Sequence, residues 1–310
     1  MIALVTQLND AENQHWLELL NNKLDNSVKL LSVMTSSEKE GCDIAIVANP
    51  KVEDLSQLPN LKWAQSLWAG VESLVKPMQD LGLPLVRLID PMLSQAMAEA
   101  ALAWTLYLHR DMHQYAKFQQ QKTWMQLDYI EPKNRRVSIL GLGALGCEAA
   151  KLLSAQGFNV SGWSFSNKQI DRVTSYQGEQ GLETMLQQTD ILICLLPLTP
   201  QTRHLINASF LQKLPKGAQL INFARAGIID SNALFDALHS AQLSHAVLDV
   251  FEEEPLPESS PYWSHQGITV LPHISAQTNP ISASEIVAQN ILNYRQTNVI
   301  PDGVNINKGY

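Results

Sequence analysis

A short apolar strand that runs directly into a glycine loop is the feature that most constrains the fold of this chain. Residues 137–140 are β-forming, and Gly141, Gly143 and Gly146 follow in the spacing G-x-G-x-x-G, with a helix-forming run from Ala144. In such a unit the first glycine permits a tight turn, the second permits close approach of a pyrophosphate, and the third permits close helix packing. The pattern predicts an α/β domain that binds a dinucleotide at the N-terminal end of the helix.

Strands and helices alternate on both sides of this loop, which predicts parallel sheets covered by helices. The first series of predicted strands covers Ile2–Val5, Val28–Val33, Ile44–Val47, Leu61–Gln65 and Pro84–Leu88. The second series covers Val137–Leu140, Val160–Trp163, Ile191–Leu195, Gln219–Phe223, Ala246–Val250 and Ile268–Leu271. A long helix, Ser94–Arg110, and a polar stretch, Asp111–Arg136, separate the two series. A final helix over Ile281–Gln296 could pack on either domain, because its pattern does not identify its partner.

Composition limits the partners and the setting of the protein. Its 310 residues suggest two domains, and 22 basic against 30 acidic residues give a net charge of −8, which argues against a nucleic-acid partner. No apolar run approaches the roughly 20 residues of a membrane span, and the N-terminus does not resemble a signal peptide. The dispersed Cys42, Cys147 and Cys194 predict neither a disulfide framework nor a metal site. We therefore expect a cytoplasmic protein with no membrane partner.

The residues after the second strand of the dinucleotide domain bear on the choice of cofactor. A site for NAD usually has Asp or Glu there, because a carboxylate accepts hydrogen bonds from the ribose hydroxyls. This chain has Ser164, Ser166 and Lys168 at the end of that strand. None of these would repel a 2′-phosphate, and Lys168 could pair with one, which favours NADP(H). The alternative is that Lys168 is an ordinary surface lysine and that the enzyme uses NAD(H) as well.

Three further strand ends carry residues that are common in active sites. Arg225, Glu254 and His273 each follow a predicted strand, at the edge where an open parallel sheet binds its ligands. Each has an ordinary alternative: a surface ion-pair partner, a solvated acidic turn and a structural histidine. Their coincidence downstream of a dinucleotide loop favours a catalytic interpretation.

The ordered motifs in this chain resemble those of the D-isomer-specific 2-hydroxyacid dehydrogenase family. The matching segments are Gly141–Gly146, Leu195–Pro200, Asn222–Asp230, Asp249–Pro257 and Leu271–Ala276. Features of the glyoxylate/hydroxypyruvate reductase A branch occur at Leu67–Val71, Arg87–Met92, Gln95–Glu99, Trp163–Ser164 and Lys308–Tyr310. Many relatives have Arg-Gly where this chain has Arg225-Ala226, but the arginine itself is retained.

The resemblance implies two Rossmann-like, doubly wound parallel-sheet domains, of which the first is discontinuous. Residues 1–96 with 279–310 would form a flavodoxin-like substrate-binding domain, and residues 97–278 would form the dinucleotide-binding domain. Members are usually homodimers joined through the region equivalent to about 94–136. Trp124 lies in that region, where it would either reach the partner's active site or simply pack at the interface.

The resemblance also assigns roles to individual residues. His273 would donate a proton to the alkoxide formed by hydride transfer, and Glu254 would hydrogen-bond His273 and favour its protonated form. Arg225 would bind the carboxylate and the carbonyl oxygen of the substrate. The remaining substrate contacts would come from Trp68, Ala69 and Gly70. The remaining cofactor contacts would come from Ala144, Leu145, Leu196, Pro197, Thr202, Phe223, Ala224 and Asp249, with Asp249 orienting the nicotinamide amide.

The function that these roles imply is NAD(P)H-dependent reduction of a small 2-oxoacid, with glyoxylate to glycolate and hydroxypyruvate to D-glycerate as the first candidates. One alternative is a reductase for another 2-oxoacid, such as one with a phenyl substituent. A second is a non-catalytic protein that senses the dinucleotide, since the resembled family includes corepressors.

Overall fold

The chain divides into two compact units in the computed structural model, which describes residues 1–305. Unit 1 comprises Met1–Met92 and the segment that begins at Thr278, and unit 2 comprises Leu93–Gln277. The expected domain boundaries, at 96/97 and 278/279, lie a few residues from the boundaries of these units, which follow Met92 and Gln277. Lys308–Tyr310, which the sequence analysis singled out, lie outside the described residues.

Unit 1 contains a five-stranded sheet in the order β2-β1-β3-β4-β5, in which every neighbouring pair is parallel. Its strands are β1 (Ile2–Thr6), β2 (Val28–Leu30), β3 (Ile44–Ala48), β4 (Trp63–Ser66) and β5 (Leu85–Val86). Its first helices are α1 (Asp10–Asn21), α2 (Ser36–Glu40), α3 (Val52–Leu55) and α4 (Glu72–Asp80).

Unit 2 contains a seven-stranded sheet in the order β12-β11-β10-β9-β6-β7-β8, again parallel throughout. Its strands are β6 (Arg136–Leu140), β7 (Asn159–Trp163), β8 (Val173–Tyr176), β9 (Ile191–Cys194), β10 (Ala218–Asn222), β11 (Leu243–Leu248) and β12 (Ile268–Val270). Its helices are α5 (Pro91–His109), which begins at the end of unit 1, α6 (Met112–Gln120), α7 (Ala144–Ala155), α8 (Gly178–Leu186), α9 (Ala208–Leu211) and α10 (Ser231–His239). The chain runs outward from β6 to β8 and then returns to β9 on the other side. An open parallel sheet binds its ligands at such a reversal point, outside the carboxyl ends of the strands.

The last helix, α11 (Pro280–Thr297), completes the core of unit 1. Ala283, Val287 and Ile291 are buried against the sheet residues of the same cluster. Tyr294 lies edge-on to Trp63 of β4, with their ring centroids 5.4 Å apart. The sequence pattern left the partner of this helix undecided, and these contacts place it in unit 1.

Buried side chains cover both faces of the sheet in unit 2. On one face, α5 and α7 contribute residues such as Ala101 and Leu153 to an apolar cluster that includes Ile139 and Ile193. A second cluster gathers residues of α8, α9 and α10 around other sheet residues, including Leu220. A parallel sheet is stable when helices cover both faces, as the apolar strands predicted.

Three elements differ from the sequence-based expectation. The predicted strand Val28–Val33 is shorter, because Leu31–Val33 forms a 3-10 turn. Strand β8 was not predicted; it lies at the edge of the sheet, and its sequence VTSY is too polar to stand out as a core strand. Helix α6 was not predicted within the polar stretch either; it has no buried residue, and its Met112 and Tyr115 are exposed.

The described residues contain neither a metal-binding cluster nor a membrane-spanning helix. Within residues 1–305, no group of three or more His, Cys, Asp or Glu side chains is arranged to hold a metal ion. None of the helices in this part of the chain is both long enough and apolar enough to span a bilayer. Cys42, Cys147 and Cys194 are all free thiols.

A pair of histidines, of which one is buried and the other half-buried, lies at the opposite end of β11 from the predicted catalytic residues. His245 is 3% exposed, and its Nε2 lies 2.8 Å from Thr269 Oγ1 on β12. Its ring faces that of His113 on α6, with centroids 4.3 Å apart. Burial, together with the neighbouring His113 and His265, lowers the pKa of His245 to about 3. Burial also lowers the pKa of His113. Both imidazoles therefore fold in the neutral form.

This pair predicts that mild acid destabilises unit 2. Below about pH 6.5 the unfolded chain binds a proton that folded His245 does not bind, so the free energy of unfolding decreases as the pH falls. His245 alone should lower it by about 2 kcal/mol between about pH 7 and pH 5. Urea denaturation at the two pH values should show a weaker pH dependence in His245→Gln, and an unchanged one in the control His15→Gln, whose histidine is exposed. Equal pH dependence in His245→Gln and the wild type would contradict the prediction.

Candidate active site

The glycine loop between β6 and α7 has the shape that its sequence predicts. Gly141 has φ +103°, a conformation that side chains with a Cβ rarely adopt. A Cβ on Gly146 would lie 1.9 Å from the Gly141 carbonyl oxygen, so only glycine permits this approach of helix and strand. A Cβ on Gly143 would meet no atom within 4 Å. No side chain caps the N-terminus of α7, and Ala144 and Leu145 form its first turn. This end of the helix can therefore bind an anion through its N–H groups.

The segment after β7 contains hydroxyls and a lysine. Ser164 Oγ donates a hydrogen bond to the Ser166 carbonyl oxygen at 2.6 Å, which forms a tight turn, and Ser166 and Lys168 are exposed. Burial raises the pKa of the Cys147 thiol, and the charge of Lys168 partly offsets that rise. Lys168 therefore lies near the first turns of α7. No carboxylate occurs between residues 164 and 168.

The loop after β9 is held together by Thr202. Its hydroxyl donates to the Pro197 carbonyl oxygen at 2.6 Å and accepts from the Thr199 N–H at 2.8 Å. Thr202 has no exposed surface, so it holds the loop and presents no side-chain atom to a cofactor. Leu196 is also nearly buried at 3%, while Pro197 is half-buried. Of these three predicted contacts, Pro197 has the most accessible side chain.

The loop after β10 carries Arg225. Phe223 and Ala224 are buried, and Arg225 is half-buried with an extended backbone (φ −145°, ψ 145°). Its Nη1 donates to the Ala224 carbonyl oxygen at 2.7 Å. Asn222, to which the sequence analysis gave no role, hydrogen-bonds two backbone groups of this loop. Its sequence signal is that asparagine commonly bonds to the backbone two residues on, which forms a turn.

His273 and Glu254 form a hydrogen-bonded pair. Nδ1 of His273 lies 2.8 Å from Oε2 of Glu254, and Oε1 of Glu254 accepts from the Phe251 N–H at 2.8 Å. The side chains are 52% and 35% exposed. Because Nδ1 faces the carboxylate, Nε2 is the ring nitrogen that remains to exchange a proton with a ligand.

The backbone at His273 is left-handed, with φ 54°, and Asp249 holds the residues that follow it. One oxygen of the Asp249 carboxylate accepts from the Ile274 N–H at 2.8 Å, and the other accepts from the Ser275 N–H at 2.9 Å. Asp249 is 2% exposed. A non-glycine residue in this conformation carries a steric cost, which these two hydrogen bonds help to offset.

One buried hydroxyl beside this turn lacks a partner. Ser275 Oγ has no hydrogen-bond partner among residues 1–305, although Ser275 is only 7% exposed. A buried polar group without a protein partner is uncommon, and it can bond to a water, an ion or a ligand. Ser275 has no signal of its own in the sequence, because a serine two residues after a histidine forms no distinctive pattern.

The parallel sheet brings these unit 2 loops to one edge. The glycine loop, the Arg225 loop, Glu254 and His273 all follow the carboxyl ends of parallel strands. The site therefore combines an uncapped helix N-terminus, a guanidinium group and an imidazole paired with a carboxylate. This set can bind anions and transfer a proton.

The predicted substrate loop of unit 1 follows β4. The Trp68 N–H donates to Ser66 Oγ at 2.9 Å, and the Trp68 carbonyl oxygen accepts from the Leu88 N–H at 3.0 Å. In the part of the chain that the structure describes, neither Ala69 nor Gly70 donates its N–H to another group. These two N–H groups are therefore available to an anionic ligand.

Comparison with known proteins gives consistent matches over most of the chain. Residues 102–275 match the family profile described as D-isomer specific 2-hydroxyacid dehydrogenase, NAD binding domain. A glyoxylate/hydroxypyruvate reductase A from Serratia proteamaculans is 38% identical over 285 residues, which cover 90% of each chain.

Two solved structures also match. A D-isomer specific 2-hydroxyacid dehydrogenase from Xanthobacter autotrophicus Py2, in complex with NADPH and MES, aligns with a TM-score of 0.94 and 33% identity over 100% of this chain and 99% of that one. An NADPH-dependent glyoxylate/hydroxypyruvate reductase from Sinorhizobium meliloti, in complex with NADP and sulfate, aligns with a TM-score of 0.88 and 30% identity over the same shares.

The glycine loop predicts two different outcomes for two similar substitutions. Gly146→Ala places a methyl group against the Gly141 carbonyl, so it should lower the melting temperature and abolish NADPH binding. Gly143→Ala meets open space, so the fold should persist while a methyl group obstructs a pyrophosphate, and the affinity for NADPH should fall about tenfold or more. Fluorescence titration and thermal melts measure both effects, with Gly181→Ala on α8 as the control. Wild-type affinity in Gly146→Ala would contradict the prediction.

Proposed function

This chain belongs to the D-isomer specific 2-hydroxyacid dehydrogenase family, and we propose that it reduces small 2-oxoacids with NADPH, glyoxylate and hydroxypyruvate first. The observation that carries the proposal is the His273–Glu254 pair at 2.8 Å, on the same sheet edge as Arg225 and the glycine loop. The named relatives, two of which are glyoxylate/hydroxypyruvate reductases, support the substrate class.

The residues present fit a bound nicotinamide dinucleotide. Open space above Gly143 and the uncapped N-terminus of α7 suit a pyrophosphate, and the orphaned Ser275 hydroxyl suits a polar group of the nicotinamide end. Ser164, Ser166 and Lys168 suit a 2′-phosphate, which supports NADP(H) over NAD(H). Related structures that contain NADPH or NADP support the same preference. When bound, the dihydronicotinamide supplies the hydride.

Arg225 is the proposed anchor of the substrate. Its planar guanidinium can bind the carboxylate of a 2-oxoacid and polarise the adjacent carbonyl oxygen. The free N–H groups of Ala69 and Gly70 are the proposed second set of donors to the carboxylate. Trp68 precedes them and packs edge-on against Trp16, with ring centroids 6.1 Å apart, which fixes the start of this loop.

His273 is the proposed proton donor. As the carbonyl carbon accepts the hydride, its oxygen becomes an alkoxide, and Nε2–H of protonated His273 supplies the proton that completes the 2-hydroxyacid. Glu254 bonds to Nδ1 and stabilises the charged ring before the transfer. Asp249 fixes the turn that follows His273, and we retain its predicted contact with the nicotinamide amide as part of the proposal.

A second copy of the chain is the proposed partner, through about residues 94–136. This region exposes an unusual amount of apolar surface: Trp124 is 99% exposed, Tyr129 65% and Met125 47%. Exposed apolar patches of this kind mark interaction sites. Sedimentation velocity should give a dimer for the wild type and a weaker one for Trp124→Ser, with Val33→Ser in unit 1, 68% exposed, as the control. A monomeric wild type would contradict this proposal.

The decisive test is a panel of 2-oxoacids assayed with NADPH and with NADH. Glyoxylate and hydroxypyruvate should give the highest kcat/KM values, and phenylpyruvate a lower one. NADPH should exceed NADH in kcat/KM by about tenfold or more, since a charge-assisted bond to Lys168 contributes roughly 1.5–3 kcal/mol.

Each outcome of the panel bears on a separate part of the proposal. Lys168→Ala should reduce the preference for NADPH and leave kcat with saturating NADPH near the wild-type value. Equal kcat/KM with both cofactors in the wild type would refute the cofactor assignment. Tight NADPH binding without turnover of any 2-oxoacid would favour the sensing alternative over an enzyme.

Substitution of the histidine pair tests the proton-donor assignment. His273→Ala should lower kcat by roughly 10²–10⁴-fold, because general acid catalysis contributes that much. Glu254→Gln should lower kcat less, since the imidazole keeps a neutral partner. Stopped-flow measurement of NADPH oxidation gives both values, with His239→Ala at the exposed end of α10 as the control. Full activity of His273→Ala near neutral pH would show the assignment to be wrong.

A further inference from the structure

Asn222 is the last residue of β10 and lies three positions before Arg225. We propose that its side-chain amide is a positioning residue that fixes the Arg225 loop and thereby the place of the guanidinium. The inference rests on the proposed function, because it concerns how Arg225 meets a 2-oxoacid.

The amide of Asn222 joins both ends of a short segment. Its Oδ1 accepts a hydrogen bond from the Ala224 N–H at 3.2 Å, and its Nδ2 donates to the Arg225 carbonyl oxygen at 3.1 Å. Asn222 is 1% exposed, so water does not compete for either bond. One side chain thus bonds to the backbone of Ala224, which precedes Arg225, and to the backbone of Arg225 itself.

The guanidinium is linked to the same segment. Arg225 Nη1 donates to the Ala224 carbonyl oxygen at 2.7 Å. Ala224 therefore bonds to the guanidinium through its carbonyl and to the Asn222 side chain through its N–H. The Arg225 carbonyl oxygen also accepts from the Ile228 N–H at 3.3 Å. A shift of the loop would therefore move the guanidinium with it.

The backbone of Asn222 connects this loop to the one that carries His273. The Asn222 carbonyl oxygen accepts from the Asp249 N–H at 3.2 Å, and the Asp249 carboxylate binds the N–H groups of Ile274 and Ser275. The hydrogen bonds are continuous from Arg225 to the residues that follow His273. The amide of Asn222 is the member of this series that acts on Arg225.

The amide makes both bonds because its oxygen accepts from the Ala224 N–H and its nitrogen donates to the Arg225 carbonyl oxygen. In Asn222→Asp the acceptor for Ala224 remains, but an oxygen replaces the donor and faces the Arg225 carbonyl oxygen. In Asn222→Ser no atom stands at the position of Nδ2, so the bond to the Arg225 carbonyl oxygen is lost, while the bond from the Ala224 N–H is at most weakened, and no charge is introduced. The two variants therefore disturb the loop in different ways. Asn222→Ser keeps the inference testable if the buried charge in Asn222→Asp prevents that variant from folding.

The test measures glyoxylate reduction with NADPH by Asn222→Asp and Asn222→Ser. We expect kcat/KM for glyoxylate to fall roughly 10- to 100-fold, since a displacement of about 1 Å can have that effect. KM for glyoxylate should rise and kcat should fall, while the Kd for NADPH should change less than about twofold. Gln242→Glu is the control. Gln242 also donates to two backbone carbonyl oxygens, those of Leu211 at 3.0 Å and Leu214 at 2.8 Å, but it lies just before the start of β11, at the edge of the sheet opposite the site.

A double-mutant cycle separates positioning from general stability. In an Arg225→Ala background, Asn222→Ser should change the residual kcat/KM by less than about twofold, because its effect passes through the missing guanidinium. A purely structural role would give the same loss in both backgrounds, and that result would overturn the inference. Wild-type kcat/KM in a folded Asn222→Ser would overturn it as well.

Binding of oxalate, a non-reacting dicarboxylate, distinguishes failure of the Asn222 inference from failure of the proposed function. The Kd of oxalate for the NADPH complex should rise in both Asn222 variants by a factor similar to the loss in kcat/KM. A wild type that turns over no 2-oxoacid and binds no oxalate would refute the proposed function and this inference together. An active wild type with equally active, folded Asn222 variants would refute this inference alone.

Discussion

The parallel hydrogen-bond register of the unit 2 sheet is the constraint on which the site depends. Residues at or next to the carboxyl ends of five strands pair in one continuous row: Leu140, Cys194, Asn222, Leu248 and Val270. The loops with the three glycines of the G-x-G-x-x-G sequence, Arg225, Glu254 and His273 therefore leave the sheet at nearly the same level. A slip of one residue in any strand would move each of its side chains to the opposite face and into the other apolar cluster, so core packing on both faces fixes the level of each loop. The chemistry of the site is local, but its alignment comes from the whole sheet.

The net charge of the chain has the same sign as the charges of the proposed ligands. The chain carries a net charge of −8, whereas a 2-oxoacid and NADPH are both anionic. The average field therefore offers no attraction, and under the proposed function the favourable potential comes from close groups: Arg225, Lys168 and the uncapped N-terminus of α7. Such groups act over a few ångströms and are screened at longer range. Recognition of the anions is then a matter of contact geometry rather than of long-range steering.

The sequence predicted much of this structure because its strongest signals are local. Apolar strands predicted both parallel sheets, the glycine spacing predicted the turn between β6 and α7, and the ordered motifs indicated the family, which the comparisons confirm. Helix α6 and strand β8 were missed because neither has a fully buried residue. Asn222 and Thr202 illustrate another limit, since the role of a buried polar side chain depends on which backbone groups the fold brings within reach. The pattern of α11 likewise shows an apolar face but not the sheet that it covers.

The discontinuity of unit 1 has a consequence for synthesis on the ribosome. Unit 2 lies in one uninterrupted stretch, so all of its residues are made before α11, and its sheet requires no later segment. The first 92 residues emerge earliest, yet the apolar surface around Trp63 lacks its cover until α11 is translated. The part of the protein that is made first is thus the last to become complete. During that interval it presents a nascent apolar surface of the kind that chaperones bind.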